Sequence, residues 1–167
     1  MPDDYEDVSI YDLDDEREQA LLAAQTECTF MWTTSNGDPV GVVMNYVVRD
    51  GHFWVTCARR RKGVAAVEAR PRVALAISSR GTDIGVSQAV TYKGDAIIHD
   101  DEATKAWFYP ALAAKVRPGR ADHQARFIER LDSPGRVVIE IVPTQRIGFD
   151  SDNMFKGSRA GPSQTRV

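Results

Sequence analysis

Arg59, Arg60, Arg61 and Lys62 are consecutive, and four adjacent cations suggest one chemistry above all, the holding of an anion. Guanidinium forks pair bidentately with phosphate oxygens, and a lysine adds a compact point charge. The flanking pattern supports this. His52–Cys57 is aromatic and β-branched, as a strand should be. Val64–Ala69 is short and Ala-rich and reads as a helix that stops at Arg70-Pro71. Arg72–Ile77 then returns as a strand. The cations thus fall between a strand end and a helix start, where backbone N–H groups add positive field. A solvated loop and a nucleic-acid patch are the other readings of such a run. Few aromatics accompany the cations and the N-terminus is acidic, so nucleic acid is not expected.

Little else in the chain suggests chemistry carried by side chains. His52, His99 and His123 are far apart in sequence. Neither a zinc-protease His pair nor a Cys-x-x-Cys pair occurs, so no metal is expected. The nucleophile elbow, the Walker loop and the dinucleotide glycine fingerprint are also missing. His99-Asp100-Asp101-Glu102 reads better as a helix cap than as an acid/base cluster. Cys28 and Cys57 sit inside apolar strand candidates and read as buried structural thiols, and two cysteines make no disulfide scaffold.

The elements that must position the basic loop follow from the rest of the pattern. A chain of 167 residues with 43% apolar residues is expected to fold as one domain. Net charge is −3, but nine of the first eighteen residues are acidic, and the remainder has 15 acidic and 20 basic residues. The body is therefore mildly basic, which favours an anionic small molecule. Residues 1–12 read as an acidic flexible N-terminus, 13–150 as the folded domain and 151–167 as a Gly/Ser/Pro/Arg-rich flexible tail. The acidic N-terminus is no signal peptide and no apolar run is long enough to span a membrane, so the expected location is cytoplasmic.

Asp14 or Asp15 caps a helix running to about Gln25, with Leu13, Ala20, Leu21 and Ala24 on its apolar side. Strands are expected at Cys28–Thr34, Val40–Val48, His52–Cys57, Arg72–Ile77, Gln88–Ile98 and Arg136–Ile141. Asn36-Gly37 and Asp50-Gly51 mark tight turns. Val40–Val48 is apolar on both faces and is expected to be a central strand. Gly94 marks a bulge or barrel corner. Helices follow at Asp100 to Lys115, where Pro110 should kink or split the helix, and at Ala121–Leu131. The sum is a mainly β fold with peripheral helices, a six-stranded antiparallel barrel.

Three pieces occur here in a fixed order: Trp54-Val55-Thr56 at a strand end, Arg61-Lys62, and Pro71-Arg72-Val73 after a short helix. Over about Thr29 to Asp150 this order resembles the FMN-binding split-barrel superfamily of the pyridoxamine 5′-phosphate oxidases, in particular its flavin/deazaflavin oxidoreductase branch. The resemblance implies a Greek-key split barrel and a homodimer with the cofactor at the interface. It also implies FMN or the deazaflavin coenzyme F-420, with haem ranked behind both. Such a cofactor carries the hydride chemistry, and the protein supplies binding and orientation.

On that reading Arg59, Arg60, Arg61 and Lys62 hold phosphate, with help from the Thr56 hydroxyl. Val55, Thr56 and Cys57 offer groups to the ring's polar edge, and Met44 and Asn45 line the ring. Met44 suits plain core better than ring lining, whereas Asn45 is the more suggestive of the two because its amide needs a partner. The loop from Ser78 to Gln88 is the expected contribution across the dimer. True pyridoxamine phosphate oxidases carry an Arg and a Lys where this chain has Val40 and Asn45, and their late Trp-Arg motif is replaced by Ile147-Gly148-Phe149-Asp150. These departures argue against that substrate. The expected function is hydride transfer between the cofactor and a small organic molecule. The alternative is a non-catalytic binder of flavin, haem or tetrapyrrole.

Overall fold

The structure, a computed structural model, describes residues 10–156. The first nine residues of the expected acidic N-terminus and residues 157–167 of the expected tail lie outside the described residues. The chain runs α1 (Asp15–Ala24), β1 (Glu27–Thr33), β2 (Pro39–Asn45), β3 (Val47–Arg49), β4 (His52–Ala58), α2 (Lys62–Ala69), β5 (Arg72–Ser78), β6 (Gln88–His99), α3 (Glu102–Val116), α4 (Ala121–Leu131), β7 (Arg136–Asp150) and α5 (Ser151–Lys156). The helix α5 occupies the first six residues of the expected tail.

The strands form one antiparallel sheet in the order β2-β1-β5-β6-β7-β4-β3. The two ends of that order, β2 and β3, are separated in sequence only by Tyr46. A sheet whose two edges are joined by one residue must curl on itself, which makes it a split barrel. Among the described residues the sheet has seven strands, where six were expected. The expected strand Val40–Val48 breaks at Tyr46, whose N–H donates to the Thr26 carbonyl at 3.3 Å and whose hydroxyl donates to the Leu22 carbonyl at 3.0 Å. β2 is therefore an edge strand rather than a central one, and Val43 on it is 66% exposed. Val42 and Val43 are exposed while Met44 packs against the core, which periodicity cannot distinguish from burial on two faces.

Alternation along the strands builds two cores. Phe53, Val55, Val137, Ile139 and Ile141 face the interior of the curl with Phe30 and Leu75. Trp54 and Val138 point the other way and pack with Phe108, Tyr109, Leu112 and Leu131 of α3 and α4. Those contacts hold α3 as one helix through Pro110, so the split that the proline could have caused does not occur. Packing compensates for the hydrogen bond that the missing proline N–H cannot make.

β7 extends nine residues beyond the expected Arg136–Ile141, through Pro143. Its register against β6 shifts between Lys93 and Gly94, and Gly94 lies opposite Pro143. A bulge accommodates a proline that a regular ladder would reject. At the capping positions, Asp14 accepts from the Arg17 N–H and Asp101 from the Thr104 N–H, both at 2.8 Å. On α1, Leu21, Leu22 and Glu18 are buried, while Ala20 and Ala24 are exposed. Glu18 is tolerated inside because Tyr92 and Arg146 bond its carboxylate. Among the described residues no helix is long and apolar enough to cross a membrane.

Candidate functional site

A cleft of about 810 Å³ opens where β1 and β2 face β4 and β7 across the curl. Phe30, Trp32 and Ile139 line it from the strands, and Leu112, Phe127 and Leu131 from α3 and α4. Arg60, Arg61, Lys62 and Gly63 form its cationic end, with Arg136. The size is within the usual range for small-molecule sites, as is a mainly apolar wall with a few polar groups.

The four consecutive cations do not act alike. Arg59 faces away from the cleft and donates to Glu68 and Asp100, both at 2.7 Å. Arg60, Arg61 and Lys62 line the cleft and make no side-chain hydrogen bond or ion pair among the described residues. They lead into α2, whose N-cap is Arg61, a residue that gives no side-chain cap. The first N–H groups of α2 thus add their field to three unpaired cations.

Other expected site residues divide in the same way. Met44, Asn45, Thr56 and Cys57 line the cleft. The Asn45 amide donates to the Thr26 carbonyl at 3.1 Å, which meets its need for a partner within the chain. The Thr56 hydroxyl donates to the Val137 carbonyl at 2.7 Å, so its proton is committed to β7 and not offered to a phosphate. Burial pushes the Cys57 thiol up from its ordinary value, against the pull of Arg61 and Arg136, which favours the inert protonated form.

Val55 has its side chain fully buried in the core. The backbone of β4 is nevertheless available. β3 pairs only with His52–Trp54, so from Val55 to Ala58 the edge of β4 opposite β7 has no strand partner. Gln88 is buried and donates to the Asp150 carboxylate at 3.2 Å, so it does not line the cleft.

A family model described as pyridoxamine 5′-phosphate oxidase matches residues 15–147. The chain belongs to the pyridoxamine 5′-phosphate oxidase family. Similar folds occur in solved structures at low identity. A conserved hypothetical protein from Mycobacterium tuberculosis superposes with a TM-score of 0.76 at 15% identity, covering 95% of this chain and 98% of that one. An FAD-binding protein from Mesorhizobium loti gives 0.61 at 17% identity, with 81% and 94% covered. An F-420 reductase gives 0.56 at 19% identity, with 77% and 94% covered. No curated protein sequence matches the chain.

In this pyridoxamine 5′-phosphate oxidase-family chain the basic strand-to-helix loop lies at the cleft, and β2 carries Val40 and Asn45. Sequence reading missed Trp32, Gly63 and Arg136 in the lining. Arg136 opens β7 with its Cα opposite Ala58, and nothing local to either residue signals that pairing. Two histidines distant in sequence also converge outside the cleft. His52 and His99 hold the two oxygens of Glu140 at 2.6 and 2.7 Å.

Proposed function

We propose that this protein is a homodimeric oxidoreductase that binds FMN or coenzyme F-420 in the cleft and passes a hydride between it and a small organic substrate. The observation that carries this reading is the division of the basic run. Arg59 is neutralised by Glu68 and Asp100, whereas Arg60, Arg61 and Lys62 stand unpaired at the uncapped start of α2 and face the cleft. Cations left unpaired at one end of an otherwise apolar cleft fit a phosphate-bearing ligand.

When bound, the cofactor supplies the hydride chemistry. The chain's own part is to hold and shield it. Arg60, Arg61 and Lys62 hold the phosphate, and the free edge of β4 from Val55 to Ala58 offers backbone groups to the ring's polar rim. Phe30, Trp32, Met44 and Leu112 keep water from its faces. Exposed Val42 and Val43 form one wall of the cleft, and a second copy seated on this edge would complete the enclosure. Glu27 is the one carboxylate among the lining residues, and no histidine is among them. That sparse supply of proton-transfer groups favours a second reading, a non-catalytic carrier of flavin or tetrapyrrole. Turnover of bound cofactor across a panel of reducible substrates separates the two.

The test of the cleft assignment is Arg61→Ala with Lys62→Ala. Cofactor affinity should fall at least about tenfold, and light scattering on the free protein should give twice the chain mass. Unchanged affinity contradicts the assignment.

A further inference from the structure

Arg136 differs from the other cations of the cleft. It starts β7 with its Cα opposite Ala58 of β4, so ladder pairing holds its backbone, whereas Arg60 and Arg61 lie on an exposed turn and Lys62 opens α2. It is half-buried. Its Nε makes one long bond to Ser133 Oγ at 3.4 Å, and among the described residues it has no ion-pair partner. A partly desolvated guanidinium without a carboxylate is costly unless an anion meets it. The lining also carries four cations, Arg60, Arg61, Lys62 and Arg136, against Glu27. A terminal phosphate brings at most about two negative charges, which the three loop cations already match.

We propose that Arg136 receives a second anionic group on the cofactor's tail. The cleft then prefers a tail with two anionic groups, a diphosphate or a phosphodiester followed by carboxylates, over one that ends in a monophosphate. This rests on the cleft being the cofactor site. A dinucleotide flavin and the deazaflavin both carry such tails, and they differ in where the second charge lies. Arg136 is held by strand pairing, so it reports tail chemistry at one place in the cleft.

The experiment is a set of dissociation constants for FMN, FAD and coenzyme F-420 with the wild-type protein, Arg136→Gln and Arg136→Lys, each checked for folding by circular dichroism. The wild type should bind FAD or F-420 at least about tenfold tighter than FMN, and whichever wins identifies the source of the second charge. Arg136→Gln should remove most of that preference while changing FMN affinity less than about threefold. Arg136→Lys should restore part of it, because charge returns without the fork; if the Gln variant does not fold, a partial loss of preference in Arg136→Lys is the expected result.

FMN binding as tightly as both others overturns the proposal, as does an equal loss for all three ligands in Arg136→Gln. A failed cofactor site has a different signature: Arg61→Ala with Lys62→Ala then leaves all three affinities unchanged, and this inference fails with it.

Discussion

Trp32 lies against Gly63 so closely that a Cβ built on the glycine would come within 2.8 Å of the indole. Gly63 is the second residue of α2, next to the unpaired Lys62, and Trp32 is on β1, so this contact sets how near the basic turn approaches the barrel. Gly63→Ala gains helix propensity, about 1 kcal/mol, but must push the ring aside. We expect a shifted Trp32 emission and cofactor affinity lowered at least about threefold, with the melting temperature moving little. Unchanged emission and affinity would show that the indole yields without disturbing the loop.

Gly94 is a second close approach, of backbone to backbone. An added Cβ would lie 2.2 Å from the Val142 carbonyl oxygen, at the place where β6 and β7 change register. A backbone atom cannot swing away as a side chain can. Gly94→Ala should therefore destabilise by roughly 2–3 kcal/mol, read as a lower urea midpoint with an unchanged slope.

Lys115 reaches from α3 to the end of α1, donating to the Leu22 carbonyl at 2.9 Å with its ammonium 3.6 Å from the Tyr46 ring. Burial pushes its pKa down to about 8, with Cys28 pulling slightly the other way. The unfolded chain keeps this proton up to about pH 10.4. Between those values the unfolded state binds more protons, so stability rises with pH. Relative to Lys115→Met, the wild type should gain on the order of 1–2 kcal/mol between about pH 7.5 and 10, after allowing for solvent screening of a half-buried group. Urea titrations of both proteins at the two pH values check the sign. A wild type that loses ground at high pH would contradict it.

Local chemistry was legible in the sequence. The Asp50-Gly51 hairpin turn has positive φ at both residues, 54° and 77°, as a primed turn needs. The Asp14 and Asp101 caps, the irregularity at Gly94 and the extent of α4 also followed from residue type and spacing. The points missed depend on partners distant in the chain. Tyr46 divides an apolar run because β2 and β3 belong to opposite edges of the curled sheet. Nothing in four adjacent cations reveals that Arg59 is claimed by Asp100, 41 residues away, while its neighbours are not. Arg136 joins them only because β7 pairs with β4. Gln88, expected at the cofactor, is drawn inward by the fully buried carboxylate of Asp150.

The most direct test of the central claim is titration of the purified protein with FMN and, separately, with coenzyme F-420, following tryptophan emission. Trp32 lines the cleft, whereas Trp54 is buried in the second core beside Trp107. Submicromolar binding of at least one cofactor is expected, with quenching that largely disappears in Trp32→Phe. Absence of binding by both, up to about 100 μM, would contradict the account.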